Sequence, residues 1–300
     1  MDALLVLARP DDDLTAVLAV LEGAAEVRVA RTETADELDA ALGKGAGAPR
    51  TVVVVGGDGT LHAAMAALHR LGLLGETTVG LVPLGTGNDF ARGVGLPLDP
   101  AEAAHVVLAG ATRATDLILD EDGGVVVNSV HAGAGADAAK RGEWWKTHLG
   151  IVGYPIGALL TALRPPSLHL SVEVDGTPLS LPHTHVLQVA VGNGPNVGGG
   201  TELVPTADPG DGVADVIVSM PKGLWSNLGY ARDLLRGRHH ERNDVTAARG
   251  RTVTVSGAAA GEEFWCSTDG EIEGPHRRRT WRVVPQAYRL IVPDGPRQAQ

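Results

Sequence analysis

Thr51–Thr60 reads TVVVVGGDGT and Thr78–Asp89 reads TVGLVPLGTGND. Each is a short apolar run that ends in glycines and polar residues. Four to six consecutive apolar residues bounded by turn signals suit a buried strand. After the first stretch comes LHAAMAALHRL, and after the second comes FARGVG, both helical in pattern. Upstream, ALLVLA (Ala3–Ala8) predicts another buried strand, and Asp11–Asp13 lead into LTAVLAVLE, a helix with an acidic start. EVRVAR (Glu26–Arg31) alternates as a strand and TADELDAAL (Thr34–Leu42) as a helix. This βαβα rhythm predicts a doubly wound, mostly parallel sheet. Ligands of such sheets bind at loops leaving the C-terminal strand ends. GGDGT and GTGND occupy such ends.

Beyond Ala111 the pattern changes. LILDEDGGVVVNSV, SLHLSVEVDGTPLSL, THVLQVAVGN, GVADVIVSM, RTVTVSG and YRLIVP are short, alternating and separated by turn residues. They predict an antiparallel β-sandwich domain, with VDGT (Val174–Thr177) as a hairpin turn. Helical stretches near Lys140–Leu163 and Leu224–Arg236 interrupt it. The expected domains are 1–113, a nucleotide-binding α/β domain, and 114–300, the β-sandwich, with the final strand (Tyr288–Val292) either staying there or returning to the first domain.

The 300 residues are 44% hydrophobic and 20% charged, with a net charge of −11, as in an ordinary globular chain. The acidic balance excludes a general nucleic-acid binder. The single cysteine, Cys266, excludes an internal disulfide and a multi-cysteine metal site. The opening MDALLVLARPDDD lacks a basic lead, which argues against a secretory signal. The run Ile151–Leu163 is shorter than the roughly 20 residues that span a bilayer. The expectation is a cytoplasmic protein that can still touch a membrane surface.

Four segments are candidates for chemistry. Gly56, Gly57, Asp58, Gly59 and Thr60 follow a strand and open a helix. Glycines let a phosphate approach the backbone, and helix-terminal N–H groups donate to it. A tight strand-to-helix turn needs the same residues, and residue chemistry alone weighs the two evenly. The segment fails the dinucleotide fingerprint, because His62 stands where the third glycine is required, and it fails the Walker A pattern. Gly85, Thr86, Gly87, Asn88 and Asp89 repeat the device one strand later; Thr86 can donate to phosphate, and Asn88 and Asp89 can cap the next helix. Asp269-Gly270-Glu271 is a hairpin turn or a carboxylate base. Asp208-Pro209-Gly210-Asp211-Gly212-Val213 on its own reads as an acidic turn.

In combination, GGDGTLHAAMAAL, PLGTGNDFAR, GNGPNVGGGTELVPTADPGDGVADV and CSTDGE occur in that order. Through nearly its whole length the chain resembles the diacylglycerol kinase catalytic superfamily, which includes bacterial lipid kinases and sphingosine kinases. The resemblance implies an α/β nucleotide domain joined to a β-sandwich, with ATP-dependent transfer of the γ-phosphate to a lipid hydroxyl in the cleft. It implies that Gly56, Gly57, Asp58, Gly59, Thr60, Leu61, His62, Gly85, Thr86, Gly87, Asn88 and Asp89 line the ATP site, with Thr32 as a further contact. Asp58 would serve the metal–triphosphate end and Glu271 would be the general base. Asp208, Asp211 and the Val213 carbonyl would hold a structural Mg²⁺. The family's loop after the first strand is of Asn-Pro-x-Ser-Gly type. Here it is Arg9-Pro10-Asp11-Asp12-Asp13, whose carboxylates would repel a triphosphate unless they turn away or metal intervenes. The alternatives are a kinase of a soluble acceptor such as NAD and a non-catalytic nucleotide- or lipid-binding relative.

His183-Thr184-His185 reads as ordinary exposed strand histidines, His239-His240 as part of a solvated loop, and Asp120-Glu121-Asp122 as an acidic hairpin turn. Two stretches combine aromatics and cations: Lys140-Arg141-Gly142-Glu143-Trp144-Trp145-Lys146, and Leu224–Arg238 with Trp225, Tyr230, Arg232, Arg236 and Arg238. Each packs as a helix into the β-domain core or forms an interfacial surface. The expected partner is a lipid substrate at a membrane surface. A homodimer stays open.

Overall fold

The structure, a computed structural model, describes residues 3–43, 51–133, 168–180, 184–258 and 262–294. The expected helix at Lys140–Leu163, the Trp144/Trp145 cluster and His183 lie outside the described residues. Two compact units emerge: residues 1–117 with 209–211 and 284–300, and residues 118–208 with 212–283.

The first unit follows the predicted alternation: β1 (Leu4–Ala8), α1 (Thr15–Leu21), β2 (Val27–Arg31), α2 (Ala35–Leu42), β3 (Thr51–Gly56), α3 (Asp58–Arg70), β4 (Thr78–Pro83), α4 (Asp89–Gly93), α5 (Pro100–Ala109) and the start of β5 (Thr112–Asp120). The strands are parallel in the order β4-β3-β1-β2, with Val53 between Val6 and Gly80. β1 is buried throughout, and β3 and β4 are buried from their second residue on. Continuous apolar strands of this kind belong to parallel sheets covered on both faces. β2 lies at the edge and is partly exposed along its length. On one face Val17 and Leu21 of α1 and Ala103, Ala104 and Val107 of α5 pack with Val6, Val53, Val55 and Val82. Gly80 allows this closeness, since a Cβ there would sit 2.9 Å from the Val107 side chain. The last strand, β19 (Arg278–Ile291), ends in this unit, pairing Arg289 and Leu290 in parallel with Thr78 and Val79. Asp116 fastens the returning segments. Its N–H donates to the Pro209 carbonyl at 2.7 Å, and its carboxylate accepts the Gln286 N–H at 2.7 Å.

The second unit is antiparallel. β6 (Val125–Val126) pairs with the end of β5. β7 (Ser129–Gly133), β11 (Gln188–Gly192), β14 (Ala214–Ser219), β15 (Val245–Gly250), β17 (Phe264–Thr268) and β18 (Glu271–His276) form one sheet in the order β15-β14-β11-β7-β17-β18. β8 (Leu168–Val174), β10 (His185–Val186), β16 (Thr252–Gly257) and the first part of β19 pair in the order β10-β8-β16-β19. Val130, Ala132, Val189, Val191, Val216, Val218 and Phe264 of the first sheet meet Leu170, Val172, Val253, Val255 and Trp281 of the second in one core. These are alternate residues along each strand, as a sandwich requires. Short β9 (Thr177–Pro178), β12 (Asn196–Val197) and β13 (Thr201–Glu202) and helix α6 (Leu224–Leu234) complete it. The VDGT turn joins β8 to β9 with Asp175 and Gly176 at φ +48 and +78. Among the described residues no helix is long and apolar enough to cross a membrane.

Two polar features of this unit bear on its stability. The hairpin acids do more than turn the chain. Arg279, with 8% of its side chain exposed, donates to Asp120 at 2.7 Å, to Glu273 at 3.0 Å and to Asp122, while the Glu121 carboxylate accepts the Thr280 N–H. Replacing Arg279 by Met strands buried carboxylate and should cost about 3–5 kcal/mol in urea unfolding. A loss below about 1 kcal/mol would show the pairing to be dispensable. His131 of β7 is the second feature: burial pushes its imidazole down to about 4, against the opposing pull of Asp269. The folded chain therefore refuses a proton that the unfolded chain accepts. Between about pH 6.5 and pH 4 stability should fall as pH falls, by up to about 1.4 kcal/mol per pH unit for this group. Urea titrations at several pH values should show a shallower slope in His131→Gln; equal slopes would refute this role.

Candidate functional site

β3 and β4 end side by side, and their glycine loops touch. A Cβ on Gly57 would sit 3.0 Å from the Gly85 Cα, and one on Gly85 would sit 2.5 Å from the Gly57 Cα. The Leu84 N–H reaches the Gly56 carbonyl at 3.0 Å, so the ladder continues into the loops. Gly56 lies under Thr60, whose side chain would be 2.6 Å from a Cβ there. Gly59 differs, because nothing stands within 4 Å of its missing Cβ. Two of the three glycines in GGDGT thus answer to packing. The third faces open space in the first turn of α3, where N–H groups lack intrahelical acceptors.

Asp58 joins the two loops. Its carboxylate accepts the N–H groups of Asp89 at 3.0 Å and Phe90 at 3.1 Å. It thereby caps α4 from 31 residues away. The sequence suggests Asn88 and Asp89 as caps of that helix. Asn88 does hold the cap position, but with no side-chain cap bond. Its backbone is left-handed at φ +51, and its amide Nδ2 donates to the Gly85 carbonyl at 2.7 Å. Arg92, inside the PLGTGNDFAR motif, donates to the Gly87 carbonyl at 3.1 Å and braces the second loop. Thr86 is exposed and His62 half-buried, whereas the Leu61 side chain is buried and its N–H is bonded to the Gly57 carbonyl.

The acidic loop after β1 is built around Arg31. Its guanidinium donates to the carbonyls of Arg9 at 2.9 Å, Pro10 at 2.6 Å and Asp12 at 3.1 Å. The Asp12 carboxylate accepts the Arg9 N–H, and Asp13 accepts the Thr15 N–H. The Thr15 bonds hold the Asp13 carboxyl below its ordinary range. Thr32 follows directly, with its N–H on the Ala8 carbonyl at 2.9 Å.

In the second unit, Glu271 opens β18 and is exposed. Asp269 and Gly270, at φ +47 and +96, form the two-residue turn that pairs Thr268 with Glu271. Asp269 fixes this turn by accepting the N–H groups of Val127 at 2.7 Å, Asn128 at 2.9 Å and Ser129 at 2.9 Å. From the sequence Arg31 carries no role, and Asp269 only that of a turn residue. Asp269 is visible only as the neighbour of Glu271, and nothing in the sequence points Arg31 at its carbonyls. In the DPGDG segment, Asp208 is half-buried and Asp211 exposed. Gly210 lies against the Ala114 carbonyl and the Arg113 side chain at 3.4 Å from its would-be Cβ. No group of three or more His, Cys, Asp or Glu with metal-ligand geometry occurs among the described residues.

Residues 9–119 match the diacylglycerol kinase catalytic domain, and residues 128–292 match the YegS C-terminal NAD kinase beta sandwich-like domain. A protein of Pseudomonas aeruginosa named "probable lipid kinase YegS-like" is 35% identical over 249 residues, covering 82% of this chain and 77% of that protein. The diacylglycerol kinase of Mycobacterium tuberculosis is 32% identical over 270 residues, covering 85% and 80%. In fold the chain is similar to a diacylglycerol kinase crystal structure from Bacillus anthracis, with a TM-score of 0.74 at 20% identity over 98% of this chain and 97% of that one. It is more distantly similar to an ATP-bound NAD kinase from Archaeoglobus fulgidus, with a TM-score of 0.52 at 11% identity over 96% and 93%. With both domains matched in order, the chain belongs to the diacylglycerol kinase catalytic-domain family of lipid kinases.

Proposed function

We propose that this chain transfers the γ-phosphate of ATP to the hydroxyl of a lipid such as diacylglycerol, in the cytoplasm and at the inner face of the cell membrane. Residues 1–113 are taken as the nucleotide-binding domain and 114–300 as the lipid-kinase C-terminal domain, with the end of the final strand returning to the first unit. The observation that carries the reading is the glycine pattern: Gly57 and Gly85 press two loops together, while Gly59 leaves an open approach at a helix N-terminus. A tight turn explains the first two glycines. A phosphate coming up to the backbone explains the third.

In this reading Gly56 to His62 and Gly85 to Asp89 receive the triphosphate with Thr86 and Thr32. Asp58 serves its metal end while keeping the two loops together. Glu271 takes the proton of the lipid hydroxyl as that oxygen bonds the γ-phosphorus and ADP leaves. Asp269 keeps the Glu271 hairpin in place. Such catalysis is mainly positioning and electrostatics. The Asp208 and Asp211 carboxylates and the Val213 carbonyl form an all-oxygen donor set, which suits Mg²⁺. The ion would supply charge neutralisation and a fixed segment there. The bonding of Asp12 and Asp13 to their own loop weakens the argument for a non-catalytic relative.

The primary test is transfer of label from γ-labelled ATP, with magnesium, to a panel of lipids and to NAD. Label in the lipid phase supports the proposal. Label on NAD alone, or on nothing while ATP still binds, overturns it. Glu271→Gln should lower turnover by about 10²–10⁴-fold with ATP affinity unchanged. Full turnover in this variant would remove Glu271 from the role.

The glycines give an independent check. Gly85→Ala should lower stability by about 1–3 kcal/mol, because its Cβ meets backbone. Gly59→Ala should keep full stability, since alanine favours helices, yet weaken ATP binding at least tenfold by calorimetry. Unchanged ATP affinity in Gly59→Ala would place the phosphates elsewhere.

A further inference from the structure

Helix α6 is apolar on its outer side as well as its inner one. Its fully buried residues are Asn227, Tyr230 and Asp233, two of them polar and the third an aromatic packed on Leu187. The Arg242 guanidinium donates to Asp233 at 2.9 Å and to Asp244 at 2.8 Å, and the Ser226 hydroxyl donates to Asp244 at 2.6 Å. Those bonds from Arg242, joined by Arg232, hold the Asp233 carboxyl below its ordinary range. Leu234 packs inward beside Tyr230, but three large apolar residues point the other way. Trp225 is 83% exposed, Leu235 64% and Leu224 47%. At 100° per residue Trp225, Arg232 and Arg236 share one line of the helix, with Leu224, Leu228 and Leu235 beside it. The sequence leaves this stretch either packed in the β-domain core or on an interfacial surface, and the exposure of Trp225 takes that side chain out of the core. The core side of α6 is occupied by the polar network together with Tyr230 and Leu234, which pack on Leu187, and Trp225 lies outside it. His239 is corrected in the opposite direction. Expected in a solvated loop, it is fully buried behind α6, with its Nε2 2.8 Å from the Leu203 carbonyl.

We infer that this outward face of α6 docks on an anionic lipid bilayer; the inference rests on the lipid-kinase reading above. The argument is charge complementarity on an acidic protein. With a net charge of −11 the chain as a whole is repelled by an anionic surface, so it can approach only through a face that presents cations. Lys222 and Arg236 flank Trp225 and Leu235, are exposed, and make no ion pair among the described residues. Of the nearby acids, exposed Glu241 follows the helix in the turn His239–Glu241, and two others are placed off the face. Asp233 is beneath the helix, paired with Arg232 and Arg242, and Glu202 lies by Gly237 beyond the helix end. An exposed Trp among leucines and cations is the composition that settles at the headgroup level of a bilayer.

The experiment is co-sedimentation of the full chain with vesicles of phosphatidylcholine alone and of phosphatidylcholine with phosphatidylglycerol. The wild type should bind the anionic vesicles at least tenfold better. Trp225→Ala should lower that binding about tenfold, and Lys222→Glu with Arg236→Glu should abolish the anionic preference, with circular dichroism unchanged. Phosphorylation of a short-chain, monomeric diacylglycerol should survive in all of these variants. Vesicle binding indifferent to Trp225 and to the charge reversals would overturn the docking face. So would a change of oligomeric state in Trp225→Ala without loss of vesicle binding, which would make the face a contact between copies. If the wild type phosphorylates no lipid but still needs Trp225 for vesicles, the lipid-kinase reading fails and the docking face stands.

Discussion

The close approach of two glycine backbones, Gly57 and Gly85, organises everything at the C-terminal ends of β3 and β4. No side chain fits between them, since a Cβ on either would sit 3.0 Å or less from the other's Cα. The contact lets Asp58, at the head of α3, reach the N–H groups that open α4. A five-residue helix has little stability of its own, because nucleating a helix is costly and short helices gain few bonds in return. α4 therefore exists by virtue of its buried Phe90 and of an acceptor supplied from the neighbouring strand end. One carboxylate thus sets the spacing of both loops.

The sheet and the loops were legible in the sequence because their signals are local. TVVVV and TVGLVP announce buried parallel strands by composition, and GGDGT and GTGND announce the strand ends by their glycines. The sandwich was legible from alternation, and its turns from Asp-Gly pairs at Asp175 and Asp269. The assignments that failed depended on partners far along the chain. The cap of α4 comes from Asp58 rather than from Asn88 or Asp89 because the β3–β4 pairing, invisible locally, delivers the carboxylate. His239 looks like a loop residue, since His-His after a basic helix end is polar in composition. It is buried because the Leu203 carbonyl lies where the folded chain needs a donor. The direction of α6 was equally hidden. Its leucines and tryptophan suit a core helix or an interfacial one, until Arg242, Asp244 and Ser226 are seen to build a polar seat beneath it beside Tyr230 and Leu234.

The loop after β1 shows the same dependence on distance. Read alone, Asp11–Asp13 oppose any triphosphate nearby. In the fold, Arg31 draws three carbonyls of that loop around one guanidinium, and Asp12 and Asp13 bond to their own backbone. Arg31 ends β2, one residue before Thr32, and the parallel pairing of Ala8 with Arg31 puts it there. The register of an edge strand thus decides what an acidic loop does with its charge.

That conclusion extends to the acidity of the whole chain. A net charge of −11 argues against an anion-binding protein only if the charge is spread evenly. Here many carboxylates are committed to backbone N–H groups: Asp58 at α4, Asp99 at α5, Asp120 and Asp175 in hairpins, Asp116 on Gln286 and Asp269 on three consecutive amides. Each stands where the local dipoles point positive, so its charge is matched at short range and, with salt present, screened beyond about 10 Å. The open turn at Gly59 shares this polarity. Asp58, the acid nearest to it in the chain, bonds to α4, and with the Thr60 and Leu61 N–H groups turned to the Gly57 carbonyl, the earlier N–H groups of α3 stand at the approach. Many acids of this chain build turns and caps, which leaves the helix N-terminus at Gly59 open to a group of opposite polarity.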